Sequence, residues 1–235
     1  MSVQNDYNNQ GGESIMKYIA NIIRILFLAL FLFLLVNGNV MIWLVLFAIS
    51  LVAALIFGRV YCGYVCPMNT LMIPTEWLSK KLNLQTSATP KWLKNGYFAW
   101  ISLGISVAIM LLSKRLLHIE LPILPFWLVI SLLVTLRYKP AVFHNLICPF
   151  GTLQKTFGRF SMLSEQVDKS TCIGCKLCEK ACPSNAIAVS AEDNKAVINT
   201  MLCHQCTNCQ QVCPKDAIRY KKTKYKYKST YNSSN

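Results

Sequence analysis

Histidine, charge and catalytic motifs are scarce in this chain. Its 235 residues include three histidines, and only 14% are charged, whereas 54% are hydrophobic. So low a charge content excludes an ordinary soluble domain and favours a membrane protein. Three histidines cannot supply the paired ligands of a dihaem bundle, which disfavours cytochrome b chemistry. The chain also lacks an acid-base pair, a nucleophile motif and a nucleotide fingerprint, which disfavours a stand-alone catalyst.

Long apolar runs are abundant instead. They cover residues 15–36, 40–57, 96–112 and 121–136, and each approaches the roughly 17 to 25 residues that a helix needs to cross a membrane. The fourth run is short but would gain length from residues 116–119. The sequence therefore predicts four transmembrane helices. A cleaved signal peptide is the alternative for the first run, but that run is too long and leads directly into a second span.

The distribution of Lys and Arg predicts the orientation of these helices. The link 37–39 carries no charge, and Lys114 and Arg115 between the third and fourth helices are a weak contrary signal. The segments after the second and fourth helices contain the remaining loop charges: Arg59, Lys80, Lys81, Lys91, Lys94, Arg137, Lys139, Lys155 and Arg159. Because cytoplasmic loops carry the excess of positive charge, we predict a multi-pass protein of the cell membrane with both termini in the cytoplasm.

All 11 cysteines lie beyond the second helix, on the side predicted to be reducing. Disulfides rarely persist there, so metal ligation becomes the leading use. Eight of the cysteines form two runs with the same spacing, C-x2-C-x2-C-x3-C-P, which is typical of bacterial iron-sulfur proteins. The first run contains Cys172, Cys175, Cys178 and Cys182, and the second contains Cys203, Cys206, Cys209 and Cys213.

The spacing predicts two [4Fe-4S] clusters with exchanged fourth ligands. Three cysteines of a run bind one cluster, and the fourth reaches the other cluster. The predicted sets are Cys172, Cys175, Cys178 and Cys213 for the first cluster, and Cys203, Cys206, Cys209 and Cys182 for the second. Zinc is the alternative, but it does not explain a third cysteine at the same spacing and a Cys-Pro pair in both runs. His204, between Cys203 and Gln205, is predicted to be a surface residue beside its cluster.

The region around these cysteines has too few large apolar residues for a free-standing core of about 50 residues, so the clusters must complete its fold. It resembles the two-cluster bacterial ferredoxins, which implies a small α+β domain built by internal duplication. The predicted organisation is a disordered tail over 1–14, a transmembrane domain over 15–163, a ferredoxin domain over 164–220 and a basic disordered tail over 221–235. Beside a membrane, the basic tail favours anionic lipid as its partner rather than nucleic acid.

The three remaining cysteines lie in two similar loops. The stretch CGYVCPMNTLM contains Cys62 and Cys66, and the stretch HNLICPFGTLQ, 82 residues later, contains His144 and Cys148. If the transmembrane helices form a duplicated hairpin, the two loops leave equivalent helices on one membrane face, and these four residues converge. Three thiolates and an imidazole could hold an additional iron-sulfur cluster, zinc or copper. The alternative is that the Cys-Pro pairs only shape turns.

This combination of four predicted spans, CGYVCP, CPFG and a two-cluster ferredoxin region resembles the NapH-type membrane iron-sulfur proteins, which share their loops with NosR-type and CcoG-type proteins. The resemblance implies transfer of electrons between the quinone pool and redox partners, or reduction or assembly of a metalloenzyme. The chain departs from the family at His144, where the second loop often has a cysteine. This departure bears on whether the two loops bind the same group.

We therefore expect a membrane-bound electron-transfer protein that connects the quinone pool or a cytoplasmic donor with a partner reductase. It would be a non-catalytic subunit of a quinol-linked system, with two [4Fe-4S] clusters, a candidate further centre at the Cys-Pro loops and a candidate quinone contact. The alternative is a redox maturation factor that supplies electrons for inserting a metal such as copper into another enzyme. An iron-sulfur sensor is a third reading, but the chain has no recognisable output domain.

Overall fold

The structure of the chain is a computed structural model that describes residues 2–86, 89, 93, 96–117 and 123–223, with the backbone alone for residues 2–17 and 116–117. Helix α1 (Ser2–Val36) and helix α2 (Val40–Phe57) are joined by a short turn at residues 37–39. The N–H groups of Gly38 and Asn39 bond to carbonyls in the last turn of α1. A tight connection of this kind makes the two helices antiparallel neighbours.

Within the described residues, three segments are helical, long and apolar enough to cross a membrane: Tyr18–Val36, Val40–Phe57 and Tyr97–Arg115. The third combines helix α4 (Tyr97–Leu112) with part of a π turn at Ser113–Leu117. These segments indicate a membrane protein. Helix α5 (Ile123–Arg137) is apolar but has only 15 residues, so the fourth span stays a prediction. The extension expected to lengthen it reaches residues 118 and 119, which lie outside the described residues.

The first helix is longer than the sequence predicts. Composition predicts a disordered tail over residues 1–14, whereas the backbone of α1 is helical from Ser2. Once a helix is nucleated by an apolar segment, each added residue gains one backbone hydrogen bond, which accounts for the difference. At the other end, residues 224–235 of the predicted basic tail lie outside the described residues.

The two halves of the membrane region repeat one arrangement of elements. In the first half, α2 leads through a π turn (Tyr61–Val65) into helix α3 (Pro67–Lys81). In the second half, α5 leads through the short helix α6 (Pro140–Val142) and a π turn (Phe143–Ile147) into helix α7 (Pro149–Gly158). The order of elements is therefore the same in both halves, apart from the additional short helix α6.

Aromatic side chains fill the interior where the two halves meet. Trp43 of α2 is fully buried, and its indole Nε1 donates to the hydroxyl of Tyr61 at 2.9 Å. Phe47 packs edge-on against Tyr61 and against Phe150 of α7, at ring distances of 5.2 Å. Such contacts add to the apolar area that each ring buries. This aromatic layer therefore fixes the first π turn and the start of α7 relative to α2.

The C-terminal region consists of two small antiparallel sheets and two short helices. Strand β1 (Leu163–Val167) pairs with β4 (Ile218–Lys222), and β2 (Ile187–Val189) pairs with β3 (Ala196–Ile198). Helices α8 (Leu177–Ala181) and α9 (Asn208–Gln211) each follow two cysteines of a run and include the third. The sheet of β1 and β4 begins at Leu163 and ends at Lys222. It therefore extends beyond both predicted bounds of the ferredoxin domain, residues 164 and 220. Lys221 and Lys222 belong to β4 because their backbone pairs with β1.

Candidate iron-sulfur centres

The two Cys-Pro loops have the same local geometry. Each π turn ends at a cysteine in extended conformation, with φ and ψ of −66° and 118° at Cys66 and −65° and 118° at Cys148. The N–H of each cysteine closes the turn on a carbonyl five residues earlier, at Tyr61 and Phe143. A proline then starts the next helix, where its missing N–H costs nothing. The repeat seen in the sequence is therefore a repeat in the backbone, with Cys62 and His144 at the same place in the two turns.

All four predicted residues of these loops are buried. Cys62, Cys66, Cys148 and His144 are 2% to 6% exposed. Burial raises the pKa of Cys66, and the neighbouring charges of Cys62 and Cys148 raise it further, so the three thiols lie within electrostatic reach of one another. Burial likewise raises the pKa of Cys148 to about 12. Buried thiols of this kind lose their protons when they bind a metal.

His144 has the protonation state that a ligand needs. Burial lowers the pKa of its imidazole to about 3, and the positive charge of Arg59 contributes to the lowering. The ring is therefore neutral at physiological pH, and its Nε2 has no hydrogen-bond partner among the described residues. Neutral imidazole is the metal-binding form of histidine.

Arg59 is a buried cation beside the first loop. Its side chain is 0% exposed, and Nη2 lies 3.7 Å from the Sγ of Cys62. Nη1 donates to Asn145 Oδ1 at 3.3 Å and to the carbonyl of Met201 at 3.4 Å. Within the described residues, no carboxylate pairs with Arg59. A buried charge without a counter-charge costs several kcal/mol. Negative charge on the neighbouring thiol of Cys62 would therefore be stabilised by Arg59.

The group that the Cys-Pro loops would hold stays a prediction. In the described part of the chain, no group of three or more His, Cys, Asp or Glu side chains could hold one metal ion. A cluster spreads its ligands over several iron atoms, so it needs a wider arrangement than zinc or copper does.

The ferredoxin cysteines lie in two neighbouring groups. One cavity is lined by the sulfur-bearing residues Cys172, Cys175, Cys178 and Cys213. The members of the other set, Cys182, Cys203, Cys206 and Cys209, lie close together. Burial raises the pKa values of the last three thiols, and charges within the set raise them further, after that of Glu165 in the case of Cys209. Cys178 also raises the pKa of Cys209, so the two sets are neighbours. The donor sets fit two [4Fe-4S] clusters, and the individual ligand roles stay predictions.

Backbone N–H groups point at these sulfur atoms with the symmetry of the repeat. Ala186 N–H lies 3.2 Å from Cys182 Sγ, and Ala217 N–H lies 3.4 Å from Cys213 Sγ, four residues apart in both cases. Ala196 N–H adds a third contact to Cys172 Sγ at 3.4 Å. Hydrogen bonds to sulfur tune the potential of a bound cluster. The backbone fold itself thus supplies such donors.

The second cysteine run lies directly on the first Cys-Pro loop. A Cβ at Gly63 would overlap the carbonyl oxygen of His204 and lie 3.7 Å from the Cβ of Cys206. Asn145, in the other loop, donates to the carbonyl of Ser184 at 2.8 Å. Both loops therefore contact the ferredoxin domain, which faces them with its second cluster set.

The prediction that His204 lies at the surface is wrong. Its side chain is 1% exposed and its ring lies edge-on to that of His144, with 4.8 Å between centroids. The contact joins two domains, so the local sequence around Cys203 could not reveal it. His118, the third histidine, lies outside the described residues.

Three further buried charged groups lie near the centres. The sequence presents Arg59 only as a loop charge, although its position three residues before Cys62 is a usable signal. Arg24 of α1 is 8% exposed and its Nε donates to the carbonyl of Gly63 at 2.9 Å. Glu165 of β1 is 0% exposed, and neither of its carboxyl oxygens has a partner among the described residues.

Two family patterns match the chain. The family described as a 4Fe-4S binding domain matches residues 39–85 and 121–164, which include both Cys-Pro loops. The family described as a 4Fe-4S dicluster domain matches residues 171–217, which include all eight ferredoxin cysteines. The chain therefore has two 4Fe-4S binding regions, and [4Fe-4S] clusters are its cofactors.

Several curated proteins are similar to the chain, and two of them are named as ferredoxin-type proteins. An uncharacterized protein of Methanocaldococcus jannaschii is 31% identical over 160 residues, covering 66% of this chain and 63% of the relative. The ferredoxin-type protein NapH of Haemophilus influenzae is 29% identical, covering 57% and 51%. The methylamine utilization ferredoxin-type protein MauN of Methylobacillus flagellatus is 26% identical, covering 59% and 53%.

The chain thus spans about half to two thirds of the length of these relatives. No solved structure matches it. The two 4Fe-4S regions, the three membrane-length helices and the named ferredoxin-type relatives agree with one another. The chain is therefore similar to the ferredoxin-type NapH and MauN proteins, and it has their kind of 4Fe-4S binding region.

Proposed function

We propose that this protein carries electrons across the junction between a membrane domain and the cytoplasm, between the quinone pool or a cytoplasmic donor and a partner reductase. The observation that carries the proposal is the direct contact of the second cysteine run with the first Cys-Pro loop, at Gly63 and His204. This contact brings a ferredoxin centre to the end of apolar helices. Relatives named as ferredoxin-type NapH and MauN proteins support a redox partner in general.

The chain's residues give the two cluster sites different surroundings. When bound, each cluster supplies one-electron chemistry. Cys175, in the first set, is exposed, so this site is open to a soluble partner. The equivalent residue of the second set, Cys206, is half-buried, and its run is covered by the first Cys-Pro loop at Gly63. We therefore assign the first site to the cytoplasmic partner and the second site to the membrane side.

We further propose that Cys62, Cys66, Cys148 and His144 hold a third iron-sulfur centre. Their burial, the repeated loop geometry and the lone cation Arg59 support it. The test is the iron content of the full chain, purified anaerobically in detergent. Two [4Fe-4S] clusters account for about eight iron atoms. More than eight, falling to about eight in His144→Ala, supports the third centre, whereas eight in the native chain contradicts it.

An apolar groove between α4 and α5 supports a quinone on the membrane side. Ser102, on the groove, donates to the carbonyl of Ile147, next to Cys148, at 2.8 Å. The groove therefore reaches the second Cys-Pro loop. Its remaining lining residues are mostly apolar: Phe98, Ile101, Ile105, Ser106, Ile109, Ile123, Phe126, Trp127 and Ile130. An isoprenoid tail fits these surroundings.

The proposed topology has four spans, with α5 as the fourth. At 15 residues, α5 measures about 22 Å, which is short of a core of about 30 Å, and the adjoining residues would supply the rest. The Lys and Arg distribution supports cytoplasmic termini. A reporter fused after residue 223 should therefore be active as a cytoplasmic reporter, and one inserted at residues 37–39 as an external one. An externally active C-terminal reporter would invert the topology.

Quinone reactivity tests the proposed function. The chemically reduced full chain, in lipid nanodiscs, should be reoxidised by a menaquinone or ubiquinone analogue, which is followed by the visible absorbance of the clusters. A chain that ignores quinones but reduces Cu(II) bound to a peptide would favour the maturation role instead. A chain that reacts with neither contradicts the quinone-linked function.

A further inference from the structure

Two histidines from different domains meet in the interior of the protein. His144 belongs to the second Cys-Pro loop, and His204 directly follows Cys203 in the ferredoxin domain. Their rings lie edge-on at 84°, with 4.8 Å between centroids, and they are 2% and 1% exposed. The ferredoxin domain thus inserts an imidazole among the residues assigned to the third centre.

The polar atoms at this contact lack partners. His144 Nε2, both ring nitrogens of His204 and Arg59 Nε are buried without a hydrogen bond to any described residue. Each unpaired buried polar group costs about 1 to 3 kcal/mol. A group of four such atoms between two domains therefore points to an occupant that accepts or donates hydrogen bonds there. Arg59 favours an occupant with negative charge.

The internal repeat of the ferredoxin domain shows that the histidine is a special feature of the second run. The corresponding residue in the first run is Ile173, which is 52% exposed. The next residue is Gly174 in the first run and Gln205 in the second, and both have positive φ, 71° and 54°. A glutamine in that conformation is strained. Its side chain bonds to Ser164 and to the N–H of Glu165, which anchors the second run.

We propose that His204 is a residue of the third centre, where its ring N–H donates a hydrogen bond to the sulfur of an iron-sulfur cluster held by Cys62, Cys66, Cys148 and His144. The inference rests on the proposed third centre. Four ligands already complete such a cluster, so the remaining role for His204 is that of a donor. A donor to cluster sulfur stabilises the more negative, reduced state and raises the midpoint potential. His204 is then a positioning and tuning residue that ties the ferredoxin domain to the membrane centre.

The test compares variants of the full chain by iron content and by redox titration followed with electron paramagnetic resonance. His204→Leu removes both ring nitrogens and keeps an apolar side chain. It should retain the iron of all three centres and shift the midpoint potential of the third centre downward. His204→Gln keeps an N–H donor and should restore much of the potential. Ile173→Ala, at the matching position of the first run, should leave the third centre unchanged.

The two proposals can fail separately. Native protein with about eight iron atoms and no third signal would contradict the third centre, and the role of His204 with it. Native protein with additional iron, but with the same potential of the third centre in His204→Leu, would contradict the role of His204 alone. Loss of the third centre's iron in both His204→Leu and His204→Gln would also overturn the donor role, because it would make the histidine a ligand.

Discussion

The guanidinium of Arg59 lies 3.7 Å from the sulfur of Cys62, in the interior and without a carboxylate partner among the described residues. Its other contacts are an amide oxygen of Asn145 and the carbonyl of Met201. Arg59 therefore touches both Cys-Pro loops and the segment that leads into the second cysteine run. A cation at this point stabilises thiolates and disfavours their protonation. Arg59 thus lies between the candidate third centre and the contact of the two domains.

Replacing Arg59 should lower the potential of the third centre. Arg59→Met removes the positive charge but keeps an unbranched side chain, and the lost charge favours the oxidised centre. Arg59→Lys should retain most of the potential because it keeps the charge. Redox titration of the full chain measures the shift. Arg159→Met, the same change at an exposed residue, is the control, and equal potentials in the two Met variants would contradict the assignment.

The exchanged ligand sets predict which cluster each cysteine supports. Cys213→Ser should damage the cluster held by Cys172 and Cys175, because Cys213 lines their cavity. Cys182→Ser should instead damage the cluster of Cys203 and its neighbours, whose pKa values respond to Cys182. Selective loss of one paramagnetic signal in each variant is the expected result. The reverse pattern would show that each run binds its own cluster.

The sequence predicted the parts of the site that repeat. The spacing of the cysteines determines which of them can share a cluster, and the 82-residue offset alone pairs Cys62 with His144. The first set lines one cavity and the two π turns have matching geometry, while the ligand roles stay predictions. Arg59 was not predictable in this way, because the offset position is Ala141 and the repeat gives no second copy of the charge.

The burial of His204 depended on contacts that the local sequence does not contain. It follows from packing between segments about 140 residues apart, such as Arg59 and Met201. The spacing rules act within one run, whereas this contact depends on how the ferredoxin domain sits on the membrane loops. The same limit applies to Glu165, which lies in β1, a strand whose partner β4 is distant in the sequence.

Glu165 should make stability depend on pH. Burial raises the pKa of its carboxyl to about 7, against the opposing effect of Gln210. The folded state therefore binds a proton more tightly than the unfolded state, whose pKa is near the ordinary value of 4.5. The stability contributed by the proton is fully present below about pH 4.5, falls as the pH rises toward 7 and then levels off, by at most about 3 kcal/mol.

Glu165→Gln should remove this dependence, because an amide does not titrate. The measurement is the denaturant midpoint for loss of cluster absorbance at pH 5.5 and pH 7.5. Glu192→Gln changes an exposed carboxylate and should keep the slope of the native protein. A native protein that is equally stable at both pH values would contradict the assignment.

Gly63→Ala tests the contact between the domains directly. The added Cβ would overlap the carbonyl oxygen of His204, and a backbone atom cannot move aside as a side chain can. Overpacking of this kind costs about 1 to 3 kcal/mol. The variant should unfold at lower temperature, and the amides of residues 203–209 should exchange with deuterium faster. Gly104→Ala is the matched control, since nothing lies within 4 Å of its Cβ and alanine favours a helix by up to about 1 kcal/mol. If the two variants were equally stable, with unchanged exchange at residues 203–209, the second cysteine run would not rest on the first Cys-Pro loop.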